Sequence, residues 1–320
     1  MIKTFPSILF IFCGFNAIAQ QNDNSLPHTY YFKKGLPVAE KDSAEFVRVI
    51  SPATDTASKS LYIVTDYYPN GKLMMTGKSV TTSYNLKRQG EFVTYYPNGN
   101  IQTIKSYSKD TLNGTQIYNY PNGKLYHSDF YNSERKRFEI AELRDSTGKV
   151  LTSNGNGTAV LYDRKFKLVT GEGPIVNGVR EGQWQGSVND SVTYVCFYKD
   201  NKGTTGKSFE KSGTVHEFKE PEIEPVYPGG LNNFYTYLSH NIHYPKIARK
   251  NGVEGKVFLS FIIEKDGTLT NVKVLRGIGS GCDEEAVRAL HESPNWSPGY
   301  QYGIPVRVQY ALPVGFKLKE

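Results

Sequence analysis

Three segments of the chain repeat one pattern: DYYPNGKLMMTG from Asp66 to Gly77, TYYPNGNIQTIKSY from Thr94 to Tyr107, and YNYPNGKLYHSDFY from Tyr118 to Tyr131. Their turn glycines, Gly71, Gly99 and Gly123, recur at intervals of 28 and 24 positions. Each unit reads as a strand, an Asn-Gly turn and a second strand. Proline fixes its own φ at the turn entrance, Asn-Gly supplies the positive φ angles of a tight hairpin, and aromatic pairs beside the turn pack across the strands. One hairpin is marginal alone, so such units must share a sheet. Weaker echoes follow in RDSTGKVL (Arg144 to Leu151), VNGVREGQWQG (Val176 to Gly186) and FYKDNKGTTGKSF (Phe197 to Phe209). The stretch from about Tyr30 to Phe218 is therefore expected to be an elongated, mainly antiparallel β array. A composition of 23 Tyr, 17 Phe and 30 Gly fits many short strands and tight turns.

The two ends differ from this array. At the start, Lys3, an apolar run from Phe5 to Phe15 and the small-x-small triplet Ala17-Ile18-Ala19 have the order of a secretory signal peptide. The run is shorter than the ~20 apolar residues of a membrane-spanning helix. Cleavage near Ala19 or Gln20 leaves an exported protein, and a retained leader leaves an inner-membrane anchor. Toward the other end, EFKEPEIEPVYPGG (Glu217 to Gly230) is dense in proline and reads as an extended linker. The expected division is 1–20 signal peptide, 21–218 hairpin-repeat region, 219–230 linker and 231–320 C-terminal domain.

In that last domain Phe234, Tyr237, Leu238 and Ile242 mark one helical face, and Pro245 to Asn251 a second short helix. GKVFLSFIIE and LTNVKVLRG read as strands around Lys265-Asp266-Gly267, and GSGCDEEAVRALHESP as a helix capped by Ser280 or Asp283. From Val306 to Leu318 every second residue is apolar or aromatic, the pattern of a strand with one buried face. Pro313 inside it points to a sheet edge, since proline gives the ladder no donor.

The chemistry on offer is thin. A formal charge of +7 is spread without a basic block, so it serves solubility and marks no nucleic-acid surface. Cys196 and Cys282 read as two separate buried thiols, and His240 and His243 lack companions for a metal site. GTTGKS (Gly203 to Ser208) has two residues between its glycines where a phosphate loop has four, and reads as a hairpin turn. Trp296 reads as a core anchor. With no nucleophile triad, HExxH or CxxC in the chain, no enzyme, metal or cofactor is expected.

From Leu61 to Tyr131 the chain resembles the MORN-type repeat family, which implies a scaffold or protein-interaction surface. From PGG at Pro228 through NIHYPKIARKNGVEGKVFLSFIIEKDGTLTNVKVLRGIGSGCDEEAVRAL and NWSPGYQYGIPVRVQYALPVGFKL it closely resembles the C-terminal domain of TonB-type energy transducers. The joint resemblance implies an α+β protein: a small three-stranded antiparallel sheet packed on helices, preceded by a mainly antiparallel β-hairpin array. It further implies that TonB-dependent outer-membrane transporters add a short extended segment, the TonB box, to the last strand. The residues so implicated are Gly303, Ile304, Val306, Arg307, Val308, Gln309 and Tyr310, with Pro228, Gly229 and Gly230 at the start of the domain. Arg307 and Gln309 are expected to tune partner choice. An inner-membrane proton-channel complex of the ExbB/ExbD type and a homodimer through the same edge are further expected partners, in the periplasm of a Gram-negative envelope. The competing expectation is a periplasmic scaffold whose array is the functional surface.

Overall fold

The computed structural model describes residues 3–4, 26–53, 61–132 and 134–318. The leader expected over 1–20 lies outside the described residues except for Lys3–Thr4. The protein is α+β and mostly sheet. No helix among the described residues is long and apolar enough to cross a membrane. The described residues form two compact units, one within 26–190 together with 198–202, the other comprising 3–4, 191–197 and 203–318.

In the first unit antiparallel strands follow one another and pair in order: Tyr62–Tyr67, Leu73–Ser79, Arg88–Tyr95, Ile101–Ser108, Thr111–Asn119, Leu125–Asn132 and Arg137–Arg144. Side circuits arise where Val169–Val176 pairs with both Val179–Arg180 and Gly182–Asn189, and where His28–Lys33 pairs with both Leu36–Val38 and Phe46–Pro52.

The repeated turn differs from the expected one. Gly71, Gly99 and Gly123 have φ of 79, 92 and 84°, whereas the preceding asparagines do not enter the positive region. Gly71 N donates to Tyr68 O at 2.9 Å and Tyr68 N to Lys72 O at 2.9 Å, and the other two copies repeat both bonds. This is a three-residue hairpin, a type I turn with proline second, closed by a left-handed glycine that makes a bulge. Asn70 Oδ1 accepts from Lys72 N at 3.1 Å, as Asn98 and Asn122 do from the residues two positions on. Asparagine is there for its side-chain acceptor rather than for a positive φ.

The repeats are also tied to one another. Tyr68 Oη donates to Tyr95 O (2.7 Å), Tyr96 Oη to Asn119 O (2.7 Å) and Tyr120 Oη to Arg144 O (2.9 Å). Each tyrosine thus holds the carbonyl just ahead of the next turn. Below this ladder glycines make room for large rings: a Cβ on Gly77 would fall 2.5 Å from the Phe92 ring, and one on Gly173 2.6 Å from Trp184. These two glycines are dictated by space, not by φ.

From Val192 onward we label β1 (Val192–Lys199), β2 (Lys202–Glu210), β3 (Val215–Phe218), β4 (Glu222–Ile223), α1 (Gly230–Asn241), α2 (Lys246–Lys250), β5 (Gly255–Ile263), β6 (Leu269–Arg276), α3 (Cys282–His291), β7 (Gly299–Gln301), β8 (Ile304–Val306) and β9 (Val308–Phe316). GTTGKS lies inside strand β2, and the reversal before it is made by Asp200 and Asn201, with φ of 51 and 66°. The expected hairpin turn is therefore displaced to two residues whose short polar side chains tolerate that conformation.

β9 pairs along its whole length with β5, which pairs in turn with β6. The sheet has four strands where three were expected, because Lys3–Thr4 lies parallel to β9 opposite Val308 and Gln309. The inward rows of β5 and β9, including Val257, Leu259, Phe261, Ile263, Leu312, Val314 and Phe316, pack with Phe234 and Leu238 of α1 and Ala286 and Leu290 of α3. Fully burying one such large side chain stabilises by ~1.5–3 kcal/mol, so these rows supply the main stabilisation of this unit. Helix α3 starts from Gly281 without a side-chain cap, and Asp283 instead reaches back to Ile278 N at 2.8 Å. Cys196 and Cys282 are both buried and free.

Burial and the Asp129 carboxylate push the Tyr118 phenol up to about 12, and burial with Tyr162 and Asp129 does the same for Tyr126. Their folded values lie above the unfolded value of 10.0, so the folded chain holds protons that the unfolded chain releases. This contribution to stability is complete below pH 10, is eroded between there and about pH 12, and is lost once the folded values are passed. Urea unfolding at stepped pH, read with tyrosinate absorbance, is expected to show the midpoint falling over that window; a constant midpoint would refute it. Gly77→Ala forces a methyl group into the Phe92 ring and is expected to cost ~1–3 kcal/mol in urea melts. An unchanged midpoint would show that the ring is free to move aside.

Candidate partner-binding edge

The alternation anticipated in the last strand is present: Val308, Leu312, Val314 and Phe316 are buried while Gln309, Ala311 and Gly315 are exposed. Val308 faces Ile263 and Gln309 faces Ile262 on β5. On the opposite side, among the described residues, the margin of β9 meets a strand only at Val308 and Gln309, where Lys3–Thr4 lies. From Tyr310 onward that margin has no partner strand among the described residues. Pro313, paired opposite Phe258, is the one position of β9 without an amide donor.

The implicated residues do not all lie in one strand. Ile304 and Val306 belong to β8, which forms a three-stranded sheet with β7 and β4 and also keeps one side unpaired among the described residues. Gly303 is in the turn before β8, and Arg307 joins the two strands. Val308, Gln309 and Tyr310 open β9, so Gly303 to Tyr310 forms a continuous stretch across two sheets. Pro228, Gly229 and Gly230 stand apart from it, where Gly230 N donates to Tyr227 O at 2.7 Å and α1 begins.

Side chains along this stretch are held differently from one another. Arg307 is bidentate to Glu264, with Nε–Oε2 of 2.6 Å and Nη2–Oε1 of 2.7 Å, and Thr270 Oγ1 donates to the same carboxylate at 2.5 Å. Those bonds hold the Glu264 carboxyl below its ordinary range. Arg307 is thus already engaged, and Gln309 and Ala311 are the more open side chains. Tyr310 packs near Phe261 and Trp296, at ring distances of 5.9 and 5.4 Å, and burial raises its phenol. Trp296 is a core residue, and its indole N–H finds no acceptor among the described residues.

Other polar candidates are occupied structurally. Burial raises the Cys282 thiol, helped by Asp283 and Glu284, which opposes thiolate formation at the helix start. His240 Nδ1 lies 2.8 Å from Thr236 O, and His243 lies beside Arg288 and Glu285. The sequence pattern missed the Arg307–Glu264 pair and the role of Asp283; for the first, the only available signal was that Glu264 and Arg307 directly end and precede paired strands. The arrangement can offer main-chain donors and acceptors to an extended segment, with selection by side chains on the exposed row.

Residues 240–318 match the family model described as the C-terminal of the Gram-negative bacterial TonB protein, and residues 88–109 and 112–133 match the MORN repeat variant. Protein TonB of Helicobacter pylori (strain ATCC 700392 / 26695) is 28% identical over 116 residues, 35% of this chain and 39% of that protein. Protein TonB of Vibrio cholerae serotype O1 is 32% identical over 77 residues, 24% of this chain and 31% of that protein. The chain thus spans well under half the length of these relatives. An NMR solution structure of the Helicobacter pylori TonB-CTD is 29% identical, with 28% of this chain and 81% of that one covered and a TM-score of 0.23. Residues 240–318 are thus similar to the Gram-negative TonB C-terminal family, and residues 88–109 and 112–133 to the MORN repeat variant.

Proposed function

We propose that this protein is a TonB-like transport component of a Gram-negative envelope, acting in the periplasm, and that the outer margin of β9 takes up an extended segment of an outer-membrane transporter. The observation that carries this reading is a strand with a buried inward row, a full partner on one side and, among the described residues, a margin unpaired from Tyr310 onward on the other. A margin of this kind is a template for strand addition. The parallel placement of Lys3–Thr4 illustrates the geometry that a visiting ribbon would extend. Each added backbone bond nets ~1 kcal/mol, so four to six give a weak, reversible grip once ordering costs are subtracted. With Arg307 held by Glu264, discrimination falls to Gln309, Ala311 and the unpaired side of β8.

Energy coupling follows only if the leader is retained as an inner-membrane anchor, where it would meet a proton-channel complex of the ExbB/ExbD type. With the leader removed the protein grips but does not pull. A second reading, a scaffold that binds another protein through its array, is favoured by one feature of the repeats. A cleft of 410 Å³ lined by Arg88, Tyr107, Asp110, Leu112, Tyr131 and Phe138 opens there, with the Tyr131 ring exposed.

A synthetic peptide copying the plug-proximal segment of a TonB-dependent transporter, added to the intact chain, is expected to slow amide hydrogen exchange in β9 and β8 by about tenfold or more. Binding that protects only residues 88–138 would overturn the edge reading in favour of the scaffold. Unchanged exchange throughout, at millimolar peptide, would remove transporter capture altogether.

A further inference from the structure

The reversal between β7 and β8 consists of Tyr302 and Gly303, with φ of 49 and 78°. Two consecutive positive angles make a tight hairpin tip, and a tyrosine at the first of them is strained unless its surroundings hold it. The surroundings come from β1, β2, β3 and the segment after them. The Tyr302 ring stacks on Tyr194 of β1, with centroids 4.0 Å apart and planes 17° from parallel, and meets the Phe218 ring of β3 edge-on at 5.5 Å.

The Tyr302 backbone is held as well. Ser208 Oγ of β2, on a fully buried residue, donates to Tyr302 O at 2.7 Å, and Tyr302 N donates to Pro221 O at 2.6 Å. Gly303 lies so close to β3 that a Cβ there would come 3.1 Å from Glu217 O. Behind the tip, Glu222 and Ile223 pair with Gln301 and Tyr300, and Val226 and Ser297 exchange both backbone bonds, at 3.1 and 2.8 Å. The proline-rich segment is therefore bonded to the C-terminal domain at both ends and along its middle. Proline removes a donor but keeps its carbonyl, and Glu222–Ile223 lies between Pro221 and Pro225, where both pairing groups remain.

We infer that the Tyr302–Gly303 tip is an internal plug seated in a socket formed by Tyr194, Ser208 and Phe218, and that it welds the last array strands to the TonB-like domain as one load-bearing body. Tension applied to β9 then reaches residues 191–218 through a packed joint rather than through a slack proline tether. The receptor surface is one that only a reverse turn fits: an aromatic slot with a hydroxyl donor at its floor and a carbonyl at its rim.

The test uses the full chain without any transporter peptide, so it is independent of strand capture. Limited thermolysin digestion is combined with amide exchange. In the parent protein, residues 219–227 are expected to resist cleavage as well as β3 does, and the Tyr302 and Ser297 amides to exchange slowly. Tyr302→Asn keeps a residue that tolerates positive φ but deletes the ring. It is expected to raise cleavage in 219–227 and exchange in β1 to β3 at least tenfold, leaving protection of α3 and β5 unchanged. Ser208→Ala is a milder check, expected to move the same sites in the same direction about threefold. Rapid cleavage of 219–227 in the parent protein, or no change there in either variant, would overturn the joint. A collapse of protection in α3 and β5 as well would overturn its separate role and make Tyr302 an ordinary core residue.

Discussion

Backbone pairing is the constraint on which everything else in this protein depends. A strand exposes donors and acceptors on both sides, and those groups need partners or water. In the array each strand finds its neighbours in the strands before and after it, so a chain of weak hairpins becomes a continuous sheet. The tyrosine hydroxyls reinforce this by engaging the carbonyls of Tyr95, Asn119 and Arg144, just ahead of the next turns. In the second unit the same constraint leaves a remainder. β5 has a partner strand on each side, while β9 has a full-length partner on one side only.

The joint at Tyr302 shows how a break in local preference is stabilised by its setting. Positive φ at a non-glycine residue costs of order 1–3 kcal/mol, and the ring stacking, the Ser208 donation and the Pro221 acceptor together offset it. None of these three partners is close in sequence to Tyr302. That is why Tyr302 was not among the residues singled out from the sequence, although Gly303 beside it was. The same holds for Arg307, whose charge and position read as a surface selector until Glu264, from the end of another strand, supplies its bidentate partner.

What the sequence did show was local. The hairpins around Gly71, Gly99 and Gly123, the inward faces of α1 and α3, and the alternation of β9 are all periodicities of two or of about three and a half residues, and a single stretch of chain contains them whole. The turn class escaped because Asn-Gly suits both a two-residue loop and the last two positions of a three-residue loop, and only the pairing of Tyr68 with Lys72 decides between them. GTTGKS was misplaced by a similar ambiguity. Glycine-rich text reads as a turn, yet Gly206 sits mid-strand because the Phe218 ring passes above it, where a Cβ would fall 2.4 Å away. The pairing of Glu222–Ile223 was hidden by the prolines on either side.

The short parallel ribbon at Lys3–Thr4 also sets a scale for the edge of β9. It matches two residues, Val308 and Gln309, and at ~1 kcal/mol per net backbone bond such a contact holds little more than thermal energy against loss of chain freedom. A visiting segment running from Val308 to Phe316, as proposed above, would make several more bonds, interrupted at Pro313, and would outcompete the short ribbon on backbone bonding alone. On the proposed reading the β9 margin is guarded lightly and selects weakly, and firm attachment of a captured segment to the rest of the chain would depend instead on the seat of Tyr302.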